Sequence, residues 1–172
     1  MKSKSYEAVA GQHKKTIQVL NDLVRINIDR VAGYERAAHE EKNTDPILRD
    51  LFYRLATDSR SYVNDLHAEI IRLGGAPVTQ STITGKIYLH WLDGKNVFEG
   101  DDVRTLLNTC STAETAVQKA YDQALDTGNS LPENICQLIE SQSWSLERAC
   151  ERLQAYSKNA VQHDQYDRSS GS

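Results

Sequence analysis

Chemistry in this chain would have to come from its five histidines, three cysteines and 24 acidic residues. A dimetal centre inside a helical bundle takes one Glu from each of two helices and a Glu-x-x-His pair from each of the other two. The spacing matters because side chains at i and i+3 share a helix face and reach the same metal pair. The residues three before His13, His39, His67, His90 and His163 are Ala10, Arg36, Asn64, Ile87 and Ala160, so the motif is absent. Its nearest imitation is Glu147-x-x-Cys150, a carboxylate with a thiolate, and Glu147 falls beside its helix's apolar stripe.

A shorter set of polar residues lies on or beside apolar stripes: Asn27, Glu35, Ser59, His67, Glu114 and Gln142. Two readings of it are open. In the first, Glu35 and Glu114 face each other across the interior, and a cation neutralises them with help from His67 or Gln142; iron, manganese or zinc would suit. In the second, the residues form a satisfied buried polar network. Asn27 and Gln142 then fix helix register, and Tyr34 or Tyr121 donates to a carboxylate. The ligand set falls short of ordinary metal sites in number and type, which favours the second reading.

Other residues read more simply. His67 borders Leu66 and Ile70 and reads as a half-buried structural histidine. Cys110, Cys136 and Cys150 lie on or near apolar stripes, where cysteine serves as a small hydrophobe. Cys136 and Cys150 stand about 21 Å apart along one helix axis and cannot pair. Gly33, inside a helix, costs about 1 kcal/mol against Ala and implies close approach of a neighbour. Trp144 lies off its helix's stripe and, if exposed, marks a contact surface for the crossover or for another subunit. No phosphate-cradling glycine loop or nucleophile elbow is present.

The bulk numbers agree with a bundle. The chain has 172 residues, 39% hydrophobic and 26% charged, with 9 Gly and 3 Pro, too few for a turn-rich β fold. Net charge is −4, and no Lys/Arg run supplies a basic footprint, so nucleic acid is not an expected partner. No apolar stretch reaches the roughly 20 residues of a membrane span, and Met1–Gly11 lacks the apolar core of a secretory signal. With an odd number of cysteines, these features point to the cytoplasm.

Four long segments carry helical periodicity. The first runs from about His13 to Lys42 on Leu20, Val24, Asn27, Val31, Tyr34 and Ala38. Asn43-Thr44-Asp45-Pro46 breaks it and starts the second, Pro46 to about Leu73, on Leu48, Leu51, Leu55, Ser59, Tyr62, Leu66 and Ile70. Thr44 or Asp45 caps that helix, Pro46 fits its first turn, and Gly74-Gly75-Ala76-Pro77 ends it. A third, to about Asp126, uses Val103, Leu106, Cys110, Ala113, Val117, Ala120 and Ala124. The fourth, about Leu131 to Gln162, uses Ile135, Leu138, Gln142, Leu146, Ala149, Leu153, Tyr156 and Ala160. A short extra helix, roughly Thr82 to Phe98, is expected between the second and third. Residues 1–11 read as a flexible N-terminal arm, 12–163 as one bundle domain and 164–172 as a flexible polar tail.

The connections are short, long, short. Two antiparallel hairpins joined by a crossover of about 26 residues give an all-α, ferritin-like antiparallel four-helix bundle, since the crossover returns the third helix parallel to the second. Leu20-Asn21-Asp22-Leu23, Asn27 and Gly33-Tyr34-Glu35, followed by Leu73-Gly74-Gly75, Trp91, Glu114 with Tyr121, and Gln142, resemble an uncharacterised bacterial family of ferritin-like four-helix bundles. The resemblance covers most of residues 16–157. It implies the fold and no activity, and relatives often carry a histidine late in the last helix where this chain has Cys150. Two functions follow as expectations. One is a non-catalytic bundle acting through self-association, with a dimer favoured, or through a protein partner. The other is a metal-binding oxidoreductase or metal-storage protein with a non-standard site.

Overall fold

A computed structural model describes residues 2–39, 45–81, 103–126 and 130–169. They form four helices: α1 (Lys2–His39), α2 (Pro46–Arg72), α3 (Val103–Leu125) and α4 (Glu133–Ser169). The expected extra helix at 82–98 lies outside the described residues. α1 begins at Lys2, so most of the expected N-terminal arm is helical. Met1–Ala10 holds no Pro or Gly, and a side chain at Gly11 would meet nothing, so this glycine costs only its intrinsic propensity. α4 likewise continues to Ser169, through much of the expected tail.

The cross-helix bonds fix the topology. From α1 to α2 and the chain just past its end, they join Arg30 to Ser59 and Asn21 to Ala76. Between α1 and α3 they join Asn27 to Tyr121 and Arg30 to Glu114. Between α3 and α4 they join Gln118 to Ser143 and Tyr121 to Gln142. Between α2 and α4 they join Asn134 to Glu69 and Gln142 to Tyr62. In every set one number rises as the other falls, so each adjacent pair is antiparallel and α2 runs parallel to α3. That is the ferritin-like arrangement.

The interior is built from the faces that periodicity predicts: Leu20 and Val24 from α1, Leu55, Leu66 and Ile70 from α2, Leu106 and Val117 from α3, and Ile135, Leu146 and Leu153 from α4 are all buried. Both ends of α2 carry their stop signals. Asp45 accepts from the N–H groups of Ile47 (2.8 Å) and Leu48 (3.3 Å). At the other end Gly74 takes φ +79°, and its N–H and that of Gly75 bond the carbonyls of Ile71 and Ile70, each at 2.9 Å. The Cβ of any other residue at 75 would stand 2.8 Å from the side chain of Ile17, so this glycine lets the turn close on α1. Asn21 then holds the departing chain, donating to Ala76 O at 3.2 Å and accepting from Val78 N at 2.9 Å.

Candidate functional site

The middle of the bundle is polar. Arg30, three residues after Asn27 and four before Tyr34, turns its whole side chain inward and is 1% exposed. Its Nε donates to Glu114 Oε1 at 2.7 Å. Its Nη1 donates to Ser59 Oγ at 2.6 Å and to Leu55 O at 3.2 Å. The guanidinium carbon lies 5.0 Å from the centre of the Tyr34 ring, which itself stacks on Phe52. The Tyr34 hydroxyl donates to the same Glu114 oxygen. A buried carboxylate and a buried guanidinium are each costly alone; together, with these hydrogen bonds, they offset much of each other's desolvation.

A second chain of bonds runs just beside the first. Asn27 Nδ2 donates to Leu23 O (2.9 Å) and to the Tyr121 hydroxyl (2.7 Å). Tyr121 donates to Gln142 Oε1 at 2.8 Å, and Gln142 reaches Tyr62 O at 3.4 Å. All four helices are thereby tied at one level. Burial lifts the Tyr34 hydroxyl well above its usual pKa, with the negative charge of Glu114 adding to it. Burial lifts Tyr121 as well, and lifts the Cys110 thiol, again with Glu114 behind it. These groups are held neutral, so the Cys110 side chain is a thiol and not a thiolate at neutral pH.

The residues singled out from sequence separate into three places. Asn27, Tyr34, Ser59, Glu114, Tyr121 and Gln142 are buried and bonded as above. Glu35 is not with them: its carboxylate lies on the outer side of α1, paired with Arg60, with 42% of its side chain exposed. Glu35 follows Tyr34 directly, about 100° further round the helix, which carries it to the flank of the buried stripe and toward Arg60. His67 is also elsewhere, donating from Nε2 to Val78 O at 2.9 Å, where it helps pin the chain leaving α2. The structure therefore does not assemble Glu35, Glu114 and His67 around one point.

Arg30 is the residue that sequence reasoning missed. The i, i+3, i+7 spacing of Asn27, Arg30 and Tyr34 is the available signal, whereas Val31, which the apolar periodicity places on the stripe, is only half-buried. A dimetal centre does not fit this donor set. Among the described residues no group of three or more His, Cys, Asp or Glu side chains could hold a metal ion. The charge on Glu114 is already met by a cation carried on a side chain. Within this network, the buried oxygens Glu114 Oε2 and Asn27 Oδ1 have no partner among the described residues.

The solved structures place this bundle in a class. A dodecameric thioferritin, the bacterioferritin-related protein from Bacteroides fragilis, aligns over 95% of this chain and 98% of its own, with TM-score 0.71 and 18% identity. A ferritin-like, diiron-carboxylate protein from Bacillus anthracis str. Ames aligns over 84% and 94%, with TM-score 0.60 and 19% identity. The bacterioferritin of Desulfovibrio desulfuricans, which has a diiron site, aligns over 92% and 84%, with TM-score 0.58 and 21% identity. The molecule is thus a ferritin-like, all-α four-helix bundle. Within that class, residues 15–127 match the model of the domain of unknown function DUF2383, and the chain belongs to that family. Curated proteins give no match.

Proposed function

We propose that this chain is a non-catalytic ferritin-like bundle that works in the cytoplasm through self-association or protein partners, its interior charge balanced by Arg30 and not by a metal. The Arg30–Glu114 pair carries this reading. A fixed guanidinium within 2.7 Å of the buried carboxylate supplies the positive charge that a metal would bring, and a metal at the same oxygen would meet it as a repelling neighbour. The exposed Trp144 supports a role for contact surfaces, as does the dodecameric assembly of the thioferritin relative. The three cysteines are free, in keeping with a reducing compartment, and no helix among the described residues is long and apolar enough to cross a membrane.

A second reading, a metal-binding oxidoreductase or metal-storage protein with a non-standard site, is favoured by the diiron relatives and by the unpartnered Glu114 Oε2. Elemental analysis of protein grown with iron, manganese and zinc separates the two. The first reading expects well below about one metal per several chains after ordinary purification, because a functional site fills at ordinary affinities. A stoichiometric metal lost on Glu114→Gln would replace it with the second.

A further inference from the structure

Trp144 is 72% exposed on the outer face of α4, opposite the face that buries Gln142, Leu146 and Ala149. Glu140 and Arg148 stand four residues to either side of it, on the same face of the helix, and both are exposed. Neither makes a hydrogen bond or ion pair among the described residues. The result is a large aromatic ring midway between one acid and one base, in a pattern that is its own complement.

We propose that this face of α4 is a two-fold interface between copies of this chain, with α4 packed antiparallel on its counterpart and centred on Trp144. A two-fold axis through Trp144 sets each residue before it against the residue equally far after it in the other copy. Glu140 then meets Arg148 of the second copy, twice over. Nearer the axis Glu147 falls opposite Ser141, and farther out Glu151 falls opposite Gln137, so no like charges are opposed. A parallel pairing would set Glu140 on Glu140 and Arg148 on Arg148, and the charges reject it. Gln137 to Glu151 spans about 21 Å of helix, so the contact is small and dissociable, with Trp144 as its desolvated anchor.

This interface rests on the self-association proposed above, and sedimentation of the full chain over concentrations of about 1 μM to 1 mM tests the two separately. The wild type is expected to dimerise. Trp144→Ala, Glu140→Arg and Arg148→Glu, all on an exposed face, are each expected to weaken association about tenfold or more. Mixing the Glu140→Arg and Arg148→Glu proteins is expected to restore it, as a heterodimer in which every charged pair is complementary again. A wild type monomeric throughout overturns both the interface and the self-association reading. A wild type that dimerises, with three variants that dimerise equally well, overturns the interface alone. Trp144→Ala that keeps its association but melts at lower temperature does the same, by placing the ring against its own chain. Single variants that weaken association while their mixture fails to recover it overturn the antiparallel register.

Discussion

Arg30 is a guanidinium with nowhere to reach water, and three of its five N–H donors have named partners: Nε is taken by Glu114, Nη1 by Ser59 and Leu55 O, and the flat face lies against Tyr34. Removing one partner of such a pair leaves the other charge stranded, whereas removing both does not. Arg30→Met is therefore expected to cost about 3–5 kcal/mol in urea denaturation, and adding Glu114→Met is expected to recover most of that loss. A single variant losing under about 1 kcal/mol would mean that the pair does not hold the interior. The same burial predicts a pH dependence. Tyr34, Tyr121 and Cys110 are all shifted upward in the folded state, so they keep their protons where the unfolded chain gives them up. Their contribution is complete below the unfolded values, about 8.5 for Cys and about 10 for Tyr. Above those values the unfolded state binds fewer protons than the folded one, and stability falls as pH rises. Each group adds up to about 1.4 kcal/mol per pH unit to that slope. Urea midpoints that stay level from about pH 8 to about pH 11 would show these hydroxyls and the thiol to be open to solvent.

At the scale of elements, α2 was the most legible. Asp45-Pro46 and Gly74-Gly75 bracket it in the sequence, and the structure uses both as cap and stop. Asp45 also accepts from the Tyr156 hydroxyl of α4, so one carboxylate closes the helix and ties it to a neighbour. Asp45→Ala is expected to lower stability by about 1–2 kcal/mol in thermal melting, while Asp45→Asn, which caps nearly as well, is expected to cost a few tenths. An unchanged melting point for Asp45→Ala would show that α2 does not depend on this cap. The first and last helices were legible along their stripes and not at their outer ends. Residues 1–11 read as an arm in the sequence, yet α1 runs through them from Lys2, and Gly11 sits in open space within it. His67 was legible as half-buried, but its partner, Val78 O, comes from a turn that no helical periodicity describes.

For the molecule as a whole, the order of short, long and short connections carried the topology, because a tight turn allows only an antiparallel neighbour while a long crossover permits a parallel return. The assembly proposed through α4 has a whole-molecule consequence. Its charged pairs flank an aromatic anchor at a surface, so part of the attraction is screened. Raising salt from about 0.1 M to about 1 M shortens the screening length from about 10 Å to about 3 Å. Dimer association in sedimentation is expected to weaken severalfold over that range without vanishing, since Trp144 burial does not depend on ionic strength. Association that tightens with salt instead would point to a contact that is apolar throughout.

The sequence by itself determined four amphipathic helices, their antiparallel pairing and most of the residues inside, because apolar periodicity and helix stop signals act locally and survive in any compact solution. It also singled out Asn27, Tyr34, Ser59, Glu114, Tyr121 and Gln142 as polar residues on buried faces. Only the tertiary structure decided which charge answers Glu114. Glu35 and Arg30 both border the α1 stripe, and their types alone favour a carboxylate inside and an arginine outside. Rotation of α1 about its axis settles the choice, and that rotation is fixed by how Leu20, Val24, Tyr34 and Ala38 are buried against the neighbouring helices. It turns Arg30 toward Glu114 and Glu35 toward Arg60, and while spacing along α1 hints that Arg30 shares the face of Asn27 and Tyr34, it does not name the partner on another helix.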